Sequence, residues 1–125
     1  MAEKKEVPSW ILILESIDPI INTLKTHFEL IAQSPKLEIE KKDLERPITS
    51  LNKLLNIMKR LKKDSSMNED VKKVVSGKSR ICENLILRII GKIDSLTVPQ
   101  SEIEYRRKLI SIVSDCDEIL KELKH

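Results

Sequence analysis

Apolar residues recur every three to four positions along most of this chain, and only two glycines, Gly77 and Gly91, occur in it. That spacing lays a single stripe along a helix. Two glycines are too few for the tight turns of a sandwich or a barrel, and too few for a phosphate-cradling loop. The 125 residues suit one domain, with Lys, Glu, Leu, Ile and Ser prominent, a composition that favours long helices. Trp10, Phe28 and Tyr105 are the only aromatic residues, so the core has to be built from Ile, Leu and Val.

Four segments follow. Residues 1–8 are charged and are expected to fray. From Ser9 to about Gln33, Ile17, Ile20, Ile21, Leu24, Phe28 and Ile31 form one stripe. Asp18-Pro19 reads as a helix start, which leaves either two helices or one kinked helix. "SPKLEIEKK" at 34–42 is the linker candidate. A second helix is expected from about Lys42 to Lys63 on Leu44, Ile48, Leu51, Leu55 and Met58, with Pro47 tolerated in a first turn. After "DSSMNED", a third runs from about Asn68 to Leu96 on Val71, Val74, Val75, Ile81, Cys82, Leu85, Ile89 and Ile93, with a kink or break conceivable at Gly77. Ser101 followed by Glu104 has the pattern of a capping box. It opens a fourth helix to about Leu123, with Leu109, Ile110, Val113, Cys116, Leu120 and Leu123 inward. The expected fold is all-α: an antiparallel three-helix bundle at 37–125, preceded by an extra N-terminal helical segment at 1–36.

Charge and chemistry narrow the function. Net charge is +3 from 23 basic and 20 acidic residues, a balance unlike that of a nucleic-acid binder. The basic run Lys59–Lys63 reads first as a solvated helix end. "WILIL" at 10–14 is far short of the roughly 20 residues that span a membrane. No signal-peptide pattern is evident, so a cytoplasmic location, with nuclear access open, is expected. Cys82 and Cys116 have no spacing for a metal and are expected to stay reduced. His27 lacks a second ligand at helical spacing and is expected at the surface. Glu102/Glu104 and Asp115/Asp117 stand two apart, which sends them to different helix faces. No enzyme, metal or cofactor is expected.

One stretch stands out, "KIDSLTVPQSEIEYRRKL" at 92–109. Asp94 lies about six residues before the turn and Arg106 about six after it, so each sits roughly 9 Å from the turn along its helix. The pair forms either a surface ion pair or, with Arg107, an outward polar face for a partner.

Ile93-Asp94-Ser95-Leu96, Pro99, Arg106-Arg107, Leu109-Ile110 and Val113 resemble, in that order, the helical junction of the BAG domain. That module belongs to co-chaperones of heat-shock protein 70. The likeness is specific over about 30 residues, looser over 42–125, and does not cover 1–36. It implies binding to the chaperone's ATPase domain and faster ADP release. By motif position, Asp94 would be the acidic contact of one helix, and Arg106 and Arg107 the basic contacts of the next. An upstream acidic position falls on Asn84, with Glu83 beside it. Ser114 stands where the family often has Gln. Two other readings remain open: a helical adaptor using the apolar stripe of residues 11–31, which could also form a homodimer face, and a nucleic-acid contact through Lys59–Lys63.

Overall fold

The structure, a computed structural model, describes residues 9–64 and 67–124. The expected fraying of 1–8, part of the "DSSMNED" turn and terminal His125 lie outside these residues. Four α-helices account for the fold, and no strand occurs among the described residues: α1 (Ser9–Gln33), α2 (Lys41–Lys62), α3 (Glu69–Ser95) and α4 (Glu102–Lys124). Each starts and stops within one or two residues of the span expected from the sequence. Local chemistry fixes the starts. The Asn68 side chain accepts a hydrogen bond from the Val71 N–H (2.8 Å). Ser101 Oγ accepts from the Glu104 N–H (3.2 Å), the first half of the expected capping box. At α2 the Glu40 N–H donates to Asp43 Oδ2 (2.9 Å).

The helices run up and down in a ring. α1 packs on α2, α2 on α3, α3 on α4, and α4 closes back on α1, while the diagonal pairs make no backbone approach. One main core draws on all four. The first helix, set apart from the bundle in the sequence reading, gives that core Ile17, Ile21 and Phe28, all fully buried. Each such side chain contributes about 1.5–3 kcal/mol of burial. The α1–α4 seam is as intimate as any in the molecule, so the bundle has four members.

Both interior prolines are accommodated. α1 runs unbroken through Pro19, on its exposed face. Pro47 is the seventh residue of α2, beyond the first turn where it was expected, and it is buried. A proline lacks the N–H that would bond the carbonyl four residues earlier, here that of Asp43. His27 of α1 supplies the missing donor: its Nε2 lies 2.9 Å from the Asp43 carbonyl oxygen. The imidazole is therefore half-buried rather than a surface group, its edge against Phe28 at a centroid separation of 5.1 Å. α3 passes through Gly77 without a break.

Candidate protein-interaction face

The α3–α4 hairpin is pinned by a charge cluster at its interface. Lys92 of α3 donates to Asp115 Oδ2 and Ser111 Oγ of α4, each at 2.6 Å. Arg88 lies 3.7 Å from the other Asp115 oxygen. Asp115 is buried, at 4% exposure, so two cations on the facing helix keep its charge solvated by protein. Asp117 points the other way, to Lys25 of α1 at 2.7 Å. That hydrogen bond raises the Lys25 ammonium above its ordinary pKa. The two aspartates thus tie α4 to different neighbours, as their spacing requires.

The turn end is closed by side chains. Thr97 Oγ1 donates to the Asp94 carbonyl (2.7 Å), Gln100 Nε2 to the Ser95 carbonyl (2.8 Å), and the Tyr105 hydroxyl to the Val98 carbonyl (3.1 Å). Arg106 belongs to this closure. Its guanidinium donates to the Ala32 carbonyl (2.6 Å), the Ser34 carbonyl (2.9 Å) and Glu102 (2.7 Å). Those carbonyls are at and just past the C-terminal end of α1, where acceptors lack helical donors and the dipole is negative. Arg106 is thus a cap for α1, and its side chain is only 27% exposed.

This changes the expected docking face. Asp94 and Arg106 do not pair. From Lys92, which faces α4, Asp94 is displaced roughly 200° around α3. Asp94 is exposed and forms no ion pair among the described residues. Arg107, next to Arg106 in sequence, points outward and is exposed. Asn84 and Ser114 are exposed too. Glu83 is not available with them: it turns toward α2, where Lys62 Nζ reaches its Oε2 at 2.8 Å. Of the six residues singled out in the sequence, Asn84 and Asp94 on α3, with Arg107 and Ser114 on α4, reach the outer surface of one hairpin. Glu83 and Arg106 are engaged by partners within the chain.

Sequence reasoning missed Asp115 and Lys92 because each looks like a surface charge taken alone. The available signal was their position on the apolar side of their helices, Asp115 beside Cys116 and Lys92 beside Ile93. It also misjudged the phase of α4. Ile110, expected inward, is 62% exposed, and Ile112 and Ile119 take the core positions. Ile103 and Ile110 therefore lie outward with Arg107 and Ser114, giving this surface an apolar component. Cys82 and Cys116 are free and buried. Desolvation pushes their thiols up to about 11 and about 12. Among the described residues no group of three or more His, Cys, Asp or Glu side chains could hold a metal ion, and no helix is long and apolar enough to cross a membrane.

Comparison with protein-family models, with curated proteins and with solved structures gives no match for this chain.

Proposed function

We propose that this protein is a non-enzymatic co-chaperone whose α3–α4 hairpin binds the ATPase domain of heat-shock protein 70 and promotes nucleotide exchange. The observation that carries the reading is the exposure of Asn84, Asp94, Arg107 and Ser114 on two antiparallel helices clamped by Lys92 and Asp115. It rests on the BAG-like sequence of that hairpin, with Glu83 and Arg106 withdrawn from the contact set. A rigid scaffold matters here, because groups held in place bind without a further ordering cost. Asp94 and Arg107 would orient the encounter electrostatically, and Ile103 and Ile110 would supply apolar area.

The mechanism requires no reaction on this chain. Preferential binding to the open form of the ATPase domain shifts its population toward open. By linkage, nucleotide and this protein weaken each other's binding by the same factor. The test is ADP release from the ATPase domain with saturating wild-type protein, Arg107→Glu or Asp94→Lys. Acceleration by the wild type and its loss in both variants, at unchanged helix content, support the proposal. Equal release with and without the wild-type protein rejects it.

The second reading, an adaptor for an unrelated protein, draws on Arg106. Half of the basic doublet that suggested the family is used as an internal cap. Under that reading the same exposed surface binds a different protein, and ADP release is unaffected.

A further inference from the structure

Three sides of α3 have neighbours. Its apolar stripe packs into the core, Arg88 and Lys92 meet α4, and Glu83 meets Lys62 of α2. The side left over looks out of the bundle. Lys73, Arg80, Leu87 and Asp94 stand along it at intervals of seven, with Gly77, Asn84 and Gly91 between them, and every one of these residues is exposed. Alternating steps of four and three are the spacing of a helix–helix seam. On a straight helix such a row drifts by about 20° per heptad, which a left-handed crossing of two helices takes up.

The charge on this row is divided along its length. Lys73 and Arg80 occupy the N-terminal half and Asp94 the C-terminal end, and none of the three forms an ion pair among the described residues. Leu87 lies between them, 55% exposed. The row also holds the only two glycines of the chain, both inside a helix, where glycine is a poor former. The fold itself does not call for them. Neither has a positive φ, and a Cβ added at either would meet nothing within 4 Å. The room they leave opens outward.

That pattern is complementary to itself. Asn84 comes eleven residues after Lys73 and ten before Asp94. A second copy of α3 laid antiparallel about Asn84 sets Lys73 of each chain beside Asp94 of the other. Gly77 then falls within about a turn of Leu87 across the seam, and Gly91 within about a turn of Arg80, so each glycine makes room for a long side chain. A parallel copy would instead set Lys73 against Lys73 and Asp94 against Asp94. Such a two-fold contact uses the same surface on both chains and closes at two.

We propose that this protein pairs with a second copy of itself through the outer face of α3, antiparallel about Asn84. From Lys73 to Asp94 the seam runs about 32 Å along the helix. One pair of helices is a contact at the small end of specific interfaces, so pairing is reversible and depends on concentration. The seam includes Asn84 and Asp94, so pairing and the binding of another protein through those residues exclude one another. The inference does not depend on what that other protein is.

The experiment is sedimentation equilibrium of the full chain from low micromolar to several hundred micromolar concentration. We expect monomer to pass into dimer, with no larger species. Gly77→Gln/Gly91→Gln fills both gaps with a better helix former in open space, so folding survives, and it should weaken the dimer by about tenfold or more. Lys73→Glu should weaken it by roughly fivefold or more, and adding Asp94→Lys should restore it, because the exchanged pair is again opposite in sign. Circular dichroism checks that helix content is unchanged in each variant. A chain that stays monomeric at the highest concentration overturns the proposal. So does a dimer that the glycine substitutions or Lys73→Glu leave intact, or one that Asp94→Lys does not rescue.

Discussion

The two ends of the bundle use positive charge in opposite ways. At the turn end, where α4 begins beside the end of α1, Arg106 is consumed by backbone carbonyls and Lys108 reaches another. Further along the α3–α4 seam, Lys92 is consumed by Asp115. At the other end Lys72, Lys73 and Arg80 of α3 are exposed and form no ion pair among the described residues. The difference teaches that a cation's role is set by what stands next to it. Four complete helices leave orphan carbonyls and a buried carboxylate to satisfy. The N-terminal turns of α3 hold their cations on exposed faces instead.

The largest effect that could break this contrast concerns α1. Phe28→Ala should destabilise the whole bundle by about 3–5 kcal/mol in one cooperative transition. A thermal melt in which the remaining helices unfold at the wild-type temperature would show that α1 is an appendage. Next comes the buried cluster. Asp115→Ala strands Lys92 and should cost about 2–4 kcal/mol, somewhat below a fully buried pair because Lys92 is partly exposed. Reversal of Lys73, an exposed cation on the outer side of α3, should change stability by less than about 0.5 kcal/mol. Urea denaturation measures both, and comparable losses would erase the distinction between the ends.

Smaller effects sharpen it. Arg106→Ala should cost about 1–3 kcal/mol through lost charge-assisted hydrogen bonds, while Arg107→Ala is near neutral to folding. His27→Ala should cost about 1 kcal/mol by orphaning the Asp43 carbonyl. In a Pro47→Ala background that cost should shrink, because the substituted residue would supply its own N–H. A double-mutant cycle reads the coupling, and additivity would reject the compensation. The smallest effect is alkaline. The unfolded chain holds ordinary thiols, near 9.0, against about 11 and about 12 in the fold. The unfolded state therefore loses its thiol protons first as pH rises. The contribution from these groups is fully present below about pH 9 and declines above it. Stability profiles of Cys82→Ala and Cys116→Ala should lack part of that decline.

Helix existence and boundaries were readable from the residues, because apolar spacing and caps such as Asn68 and Ser101 act locally. What spacing does not encode is which neighbour a helix face meets. The stripe Ile17-Ile21-Leu24-Phe28 showed an apolar face, but nothing local marked α4 as its cover. Ile110 looked inward because Leu109, Ile110 and Val113 fit a helical stripe. The competing stripe Leu109-Ile112-Cys116-Ile119 fits as well, and packing chose it. Arg106 and Arg107 are indistinguishable by sequence, yet one residue is about 100° around a helix, enough to send one to α1 and the other to solvent. The remedy for Pro47 lies 20 residues away in sequence, on His27 of another helix.

The central claim, that the hairpin's outward residues form a docking face on a rigid four-helix scaffold, is tested most directly by titration calorimetry against the heat-shock protein 70 ATPase domain. The account predicts saturable heat with the wild-type chain, its loss in Arg107→Glu at unchanged stability, and its retention per folded molecule in Arg106→Ala at lowered stability. No heat with the wild-type chain, or equal heat with Arg107→Glu, would contradict it.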